Sequence, residues 1–181
     1  MPFDVYKCFL PECYLDTTLI EFLLQKSFSV NHKKGNSSIA VTMRNSPLRN
    51  MFAVGIIDDD KVKLKELELF NIVERLSKRN LKLFEKPGSH HYFIQICPAL
   101  EKWILNECVK GGINIADKKY NLPATLKGLI NLKGLTQRND IRFKMLFKDM
   151  LENENCDEIR ELKRWLLFLK ENNYNTNLDL L

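Results

Sequence analysis

A chain of 181 residues, 45% of them hydrophobic, can bury one proper core, which predicts a single compact unit with a helical appendage rather than a string of modules. Its 28 Lys and Arg against 23 Asp and Glu leave a net charge of +5, which tolerates an anionic partner without demanding one. No stretch approaches the roughly 18 apolar residues of a membrane helix, and the first ten residues lack a basic region leading into an apolar one, so no membrane association is expected and the cytoplasm is the expected location. Cys8, Cys13, Cys97, Cys108 and Cys156 are odd in number and include no C-x-x-C pair. They read as reduced, mostly buried thiols rather than a disulfide frame or zinc knuckle.

Residues 4–10 carry Val5, Tyr6, Cys8, Phe9 and Leu10 in a near-continuous apolar pattern, which predicts a central strand ending at Pro11 and Glu12. A helix should follow, because Thr18 and Glu21 fit a capping box and Leu15, Leu19, Phe22 and Leu23 recur at helical spacing. Residues 31–38 read as a polar loop, residues 39–43 as a second short strand and residues 44–50 as a turn. The run MFAVGIIDDDK at residues 51–61 supplies a third strand that ends in three carboxylates. Residues 64–76 predict a helix burying Leu67, Phe70, Val73 and Leu76. Residues 81–84 and 92–96 predict paired strands across the turn at residues 86–89. A helix bearing Leu100, Trp103, Ile104 and Cys108 then runs from Pro98 to Gly111 and Gly112.

Beyond Gly112 the pattern is purely helical. Phe143, Leu146, Phe147, Met150 and Leu151 share one face, and Ile159, Leu162, Leu166 and Leu169 share another, with Asp157 as the expected N-cap. Residues 172–181 are expected to fray. The alternation of strands and helices predicts an α/β fold, a small, mostly parallel sheet flanked by helices over residues 1–110, with a helical extension at residues 111–181 packed on it.

The carboxylates carry the chemical signal. Residues two apart in an extended chain project to one side, so Asp58 and Asp60 can offer hard oxygen donors to one divalent cation. Ligands gather at the carboxyl ends of parallel strands, where Glu12, Asp58 and Asp60 would meet if the first and third strands are neighbours, with Asp16 as a fourth candidate. Three candidates have a structural alternative: Asp60 can cap a helix starting near Val62, Asp16 can serve a cap, and Glu101 sits in a first helical turn where acids are favoured, whereas Glu12, beside Pro11 in a strand-end loop, has no such simple alternative. His90 and His91 would point to opposite faces of a strand, and an exposed turn-to-strand junction accounts for both. Lys86 is better placed than the histidines to contact a phosphate, although a solvated surface lysine is the default reading of it, as it is of Lys33, Lys34, Lys118 and Lys119. No G-x-x-x-x-G-K-[ST], H-E-x-x-H or G-x-S-x-G occurs.

Glu12 and Asp16 entering a helix, followed by Gly55, Asp58 and Asp60 on a strand, resemble the Toprim domain pattern of a strand-borne Glu and a strand-borne D-x-D. Pro98 through Glu101 is similar to the helix-borne acidic motif of the overcoming-lysogenization-defect nuclease branch. The resemblance covers roughly residues 4–108, and Cys13 stands where the family commonly has glycine, a residue that lets backbone approach phosphate closely. It implies a Toprim-like, Rossmann-like layering in which Glu12, Asp58 and Asp60 bind Mg²⁺ or Mn²⁺ and carry catalysis. Glu101 would complete a second metal position, with Glu12 binding metal or accepting the proton of the attacking water.

Three functions follow as expectations. The first is a magnesium-dependent nuclease or related phosphoryl-transfer enzyme acting on DNA or RNA. The second is a non-catalytic Toprim-like component of a larger nucleic-acid or defence system, working with a protein partner. The third is a glycosyltransferase whose D-x-D holds manganese and a nucleotide-sugar, against which the short chain and an idle Glu12 both count.

Overall fold

The fold is seen in a computed structural model that describes residues 4–45, 47–59, 64–78, 80–133 and 137–181. Its strands β1 (Phe9–Pro11), β2 (Ala53–Asp58), β3 (Asn71–Ile72), β4 (Leu81–Glu85) and β5 (His91–Ile96) form one sheet in the order β1-β2-β5-β4-β3. The β1, β2 and β5 strands run parallel, whereas β5, β4 and β3 pair antiparallel. This is an α/β fold with a mixed sheet. Every residue of the inner strand β2 is buried, which explains its continuous rather than alternating apolar pattern. Residues 31–33 close the outer edge of β1 through Asn31 N–H to Phe9 O at 3.0 Å and Lys33 N–H to Pro11 O at 2.9 Å.

Helices cover both faces: α1 (Tyr14–Leu23), α2 (Asn36–Arg44), α3 (Leu100–Lys110), α4 (Leu126–Lys133), α5 (Ile141–Glu152) and α6 (Asp157–Asn172). A Cβ on Gly55 of β2 would lie 2.3 Å from Phe93 Cε1 and 2.9 Å from Ile39 Cγ2, so glycine is what lets α2 and the Phe93 ring approach this strand. On the other side Trp103 Nε1 of α3 donates to Glu158 Oε2 of α6 at 2.7 Å. Lys110 Nζ bridges the buried Glu107 and Glu158 carboxylates at 2.7 and 3.3 Å. Burial pushes the Glu107 carboxyl up, against the pull of Lys110. The buried apolar residues form one cluster running from Cys8 to Leu178. Among the described residues no helix is long and apolar enough to cross a membrane.

Several elements differ from the sequence expectation. Residues 39–43 are helical, inside α2, because Ile39, Ala40 and Met43 bury one face of a helix that follows Gly35 at φ 81°. Residues 64–76 give only a 3₁₀ helix, Lys65–Leu69, and the short β3, because residues 71 and 72 find a pairing edge on β4. The first strand shrinks to three residues behind a 3₁₀ turn, Val5–Cys8, nucleated by Tyr6 N–H donating to Asp4 Oδ1 at 3.1 Å. At α6 the N-cap position belongs to Cys156, with Asp157 inside the first turn. The last residues are docked rather than frayed: Leu178 is buried and its carbonyl accepts from the Arg75 guanidinium.

The loop entering α5 is fastened to α1 by a buried charge. Glu21, with a fully buried side chain, accepts from Ser29 N–H at 2.6 Å, Val30 N–H at 3.2 Å and Asn139 Nδ2 at 3.1 Å, and pairs with the Arg138 guanidinium. Burial alone would raise the Glu21 carboxyl, but Arg138 and the backbone amides outweigh it and hold the group below its ordinary 4.5. Arg138→Met leaves that carboxylate without its counter-charge and should cost about 3 kcal/mol at neutral pH by urea denaturation. Because the folded-state value is depressed, the contribution is present above pH 4.5 and is lost as pH falls through the lowered value. The gap between wild type and variant should therefore close in acid.

Candidate functional site

The register of β1 and β2 brings the first two acids to one edge of the sheet. Pro11 is level with Ile56, so Glu12 follows one position past the last pair, beside Ile57, and Asp58 ends the neighbouring strand. The strand adjacency that the carboxylates require is therefore present. Asp58 is 4% exposed, and its Oδ1 accepts the Leu100 N–H at 3.0 Å. Ala99, the N-cap of α3, has no side chain able to cap the helix, and the β2 carboxylate supplies the acceptor from a distance in sequence. Glu101 follows in the same first turn and is 3% exposed. The Glu12 Oε2 and Glu101 Oε1 atoms are both shielded from solvent.

The loop after Glu12 accommodates Cys13 without strain. Cys13 has φ −131°, an extended conformation open to any residue, and it caps α1 reciprocally with Asp16. Its N–H donates to Asp16 Oδ2 at 3.0 Å while the Asp16 N–H meets the Cys13 sulfur at 3.4 Å. The capping box thus sits at residues 13 and 16, five residues before the expected Thr18, whose hydroxyl instead donates to Tyr14 O at 2.8 Å inside the helix. Asp16 serves that cap. Beside it, His32 stacks on Tyr14 with ring centroids 4.4 Å apart, and its Nδ1 lies 3.1 Å from Thr17 Oγ1. Burial pulls the His32 value down.

Asp60 lies outside the described residues, as does the start of any helix near Val62. Among the described residues no three His, Cys, Asp or Glu side chains gather closely enough to hold a metal ion. Their oxygen-donor chemistry suits Mg²⁺, which usually keeps several waters and is held by one or two carboxylates together with substrate phosphate. Glu12 and Asp58 are carboxylates of that kind at the ends of neighbouring strands.

A cavity of about 690 Å³ opens beside Asp58 and Asp59. Its floor follows from strand pairing, since Ile57, Gln95 and Lys82 occupy one row across β2, β5 and β4, and Phe84 is paired with Ile72 in the next. Leu64, Leu67 and Glu68 form the opposite wall. Gln95 Nε2 donates to Asp59 Oδ1 at 3.1 Å, and Asn36 Nδ2 reaches Asp58 O at 3.4 Å. Neither amide stands out in the sequence, because their position depends on a register that only pairing reveals. The D-D-D turn and the alternation in residues 81–85 are the available signals for Asp59 and Lys82.

The imidazoles and Lys86 lie at the opposite end of the sheet. His91 is level with Ala53, five residues or about 16 Å of strand from the Asp58 row. His91 is buried rather than exposed, with its Nε2 2.9 Å from Leu48 O, and burial lowers its value. His90 packs edge-on against Tyr174 with centroids 5.1 Å apart. Lys86, whose N–H donates to His91 O at 3.0 Å, belongs to that same end, whereas Lys82 and Lys65 line the cavity beside the acids.

The fold and edge define an α/β protein with acidic residues at the carboxyl ends of adjacent parallel strands. Comparison with protein-family models, curated proteins and solved structures returns no match.

The Asp58 contact separates structure from chemistry. Asp58→Asn keeps an oxygen acceptor for Leu100 N–H and should leave stability within about 0.5 kcal/mol, whereas Asp58→Ala should cost about 1–2 kcal/mol through the lost cap. Thermal and urea unfolding of the two variants measure the difference.

Proposed function

We propose that this chain is a metal-dependent phosphoryl-transfer protein, acting as a Mg²⁺- or Mn²⁺-dependent nuclease on DNA or RNA. The observation that carries the reading is the placement of Glu12 and Asp58 at the ends of adjacent parallel strands, with the buried Glu101 at the start of α3. The resemblance to Toprim domains supports it from the residues Glu12, Asp58, Asp60 and Glu101. The five free cysteines accord with a reducing cytoplasmic setting.

In this reading Glu12, Asp58 and Asp60 hold the cation, and Glu101 completes a second metal position. A bound divalent cation supplies charge neutralisation at the phosphoryl oxygens. Where Glu12, at the loop before α1, does not bind the metal, it accepts the proton of the attacking water instead. Asp58 is positioned by Leu100 N–H, which fixes one carboxylate oxygen and orients the group at the edge. Lys82, half-buried beside Gln95, brings a fixed positive charge toward the phosphate.

A second reading, a non-catalytic domain that recognises nucleic acid or a protein partner within a larger system, is favoured by one observation. The Asp58 carboxylate already has a structural task at α3, so its presence does not require a metal.

Cleavage of single- and double-stranded DNA and RNA should appear with Mg²⁺ or Mn²⁺ and disappear with EDTA. Asp58→Asn and Glu12→Gln should each lower the rate by at least about 10–100-fold, the range that even supporting groups of a metal site produce. Activity that survives both substitutions would remove Glu12 and Asp58 from the mechanism, and a folded protein without activity would favour the second reading.

A further inference from the structure

We propose that the 690 Å³ cavity beside Asp58 binds a single unpaired nucleotide, with its base over the sheet and its phosphate at the Asp58 and Asp59 rim. The proposal deepens the phosphoryl-transfer reading and rests on it for the phosphate end alone. The base end stands on the cavity itself.

The cavity has the size of a small-molecule site, within the roughly 300–1,000 Å³ such sites occupy. Its floor is graded. Phe84 and Ile72, both half-buried, pair across β4 and β3 and offer a flat apolar surface at one end. Phe93, the neighbour of Phe84 on β5, leans over Gly55, whose missing Cβ makes room for its ring. Phe70 meets Phe93 edge-on at 4.8 Å and packs beside that end. A planar heteroaromatic ring matches this surface, because stacking needs an exposed π-face and tolerates any base.

The other end is polar. Gln95 is 8% exposed, and its amide is oriented by Asp59, so a side chain with in-plane donors and an acceptor sits where a base edge would lie. Lys82 occupies the same row and supplies the positive charge, while Asp58 and Asp59 stand at the rim. Apolar floor, amide, lysine and carboxylates thus follow the order of base, base edge and phosphate in one nucleotide. A stacked duplex is too wide for this space, so a base reaches it only as a free nucleotide or when taken out of its stack at a strand end.

Calorimetric titration tests the proposal with adenosine, guanosine, cytidine and uridine in EDTA, and with their 5′-monophosphates in Mg²⁺. At least one nucleoside should bind without metal, and Phe84→Leu, which keeps apolar bulk and removes the aromatic face, should weaken it about tenfold. Lys82→Met should weaken monophosphates more than nucleosides. Circular dichroism confirms that both variants fold. Failure of the folded wild-type protein to bind any of these probes at millimolar concentration overturns the proposal, as does binding unchanged in both variants. Nucleoside binding in EDTA that persists when metal dependence is absent would keep the cavity and overturn the phosphoryl-transfer reading instead. Competition by a short 5′-phosphorylated single strand assigns the strand end as the source, and its absence assigns the free nucleotide.

Discussion

At the end of β2 the Asp58 Oδ1 accepts the Leu100 N–H at 3.0 Å, and that bond ties this inner strand to the first turn of α3. A helix start leaves four N–H groups without intrahelical partners, and Ala99 offers no side chain to receive any of them. The acceptor therefore comes from the sheet. This fixes where Glu101 begins its helix and places it near the strand end that carries Asp58 and Asp59. The same edge receives Glu12, because β1 lies beside β2 in parallel register. One contact and one strand pairing thus bring three segments far apart in sequence to a single edge, and the chemistry proposed there depends on both.

The remaining packing supports that edge from two sides. Gly55 lets α2 and Phe93 sit against β2, and the row formed by Ile57, Gln95 and Lys82 extends from there toward β4. On the other side the linked Trp103, Glu158, Lys110 and Glu107 groups join α3 to α6, while Glu21 and Arg138 join α1 to the loop entering α5. Buried charges of this kind add little net stability over apolar packing, yet removing one partner is costly because the other remains buried. They therefore hold the C-terminal helices in one arrangement against the helices that start at the sheet edge.

Residues 51–57 were legible because an uninterrupted apolar run marks a strand buried on both faces, and the β4 and β5 hairpin because a Pro-Gly turn separates two short apolar runs. The helical faces of α5 and α6 were legible from their period. Residues 39–43 misled because Ile39 and Val41 favour strands locally, whereas the space above Gly55 rewards a helix that presents Ile39 and buries Ala40 and Met43 beside it. Residues 64–76 misled because β3 exists only through its pairing with β4, which no local propensity encodes. At the edge of the sheet, the strand-end positions of Glu12 and Asp58 could be read from the sequence. Gln95 and Asn36 could not, since they reach the edge through register and tertiary contact.

The central claim is that Glu12 and Asp58 share a divalent cation at the carboxyl edge of β1 and β2. Titration of the protein with Mn²⁺, followed by electron paramagnetic resonance of the free ion, tests it most directly. Saturable binding at or below about millimolar metal, weakened in both Glu12→Gln and Asp58→Asn while the folded state is retained, is the predicted result. Binding that is absent, or that is unchanged in both variants, would contradict it.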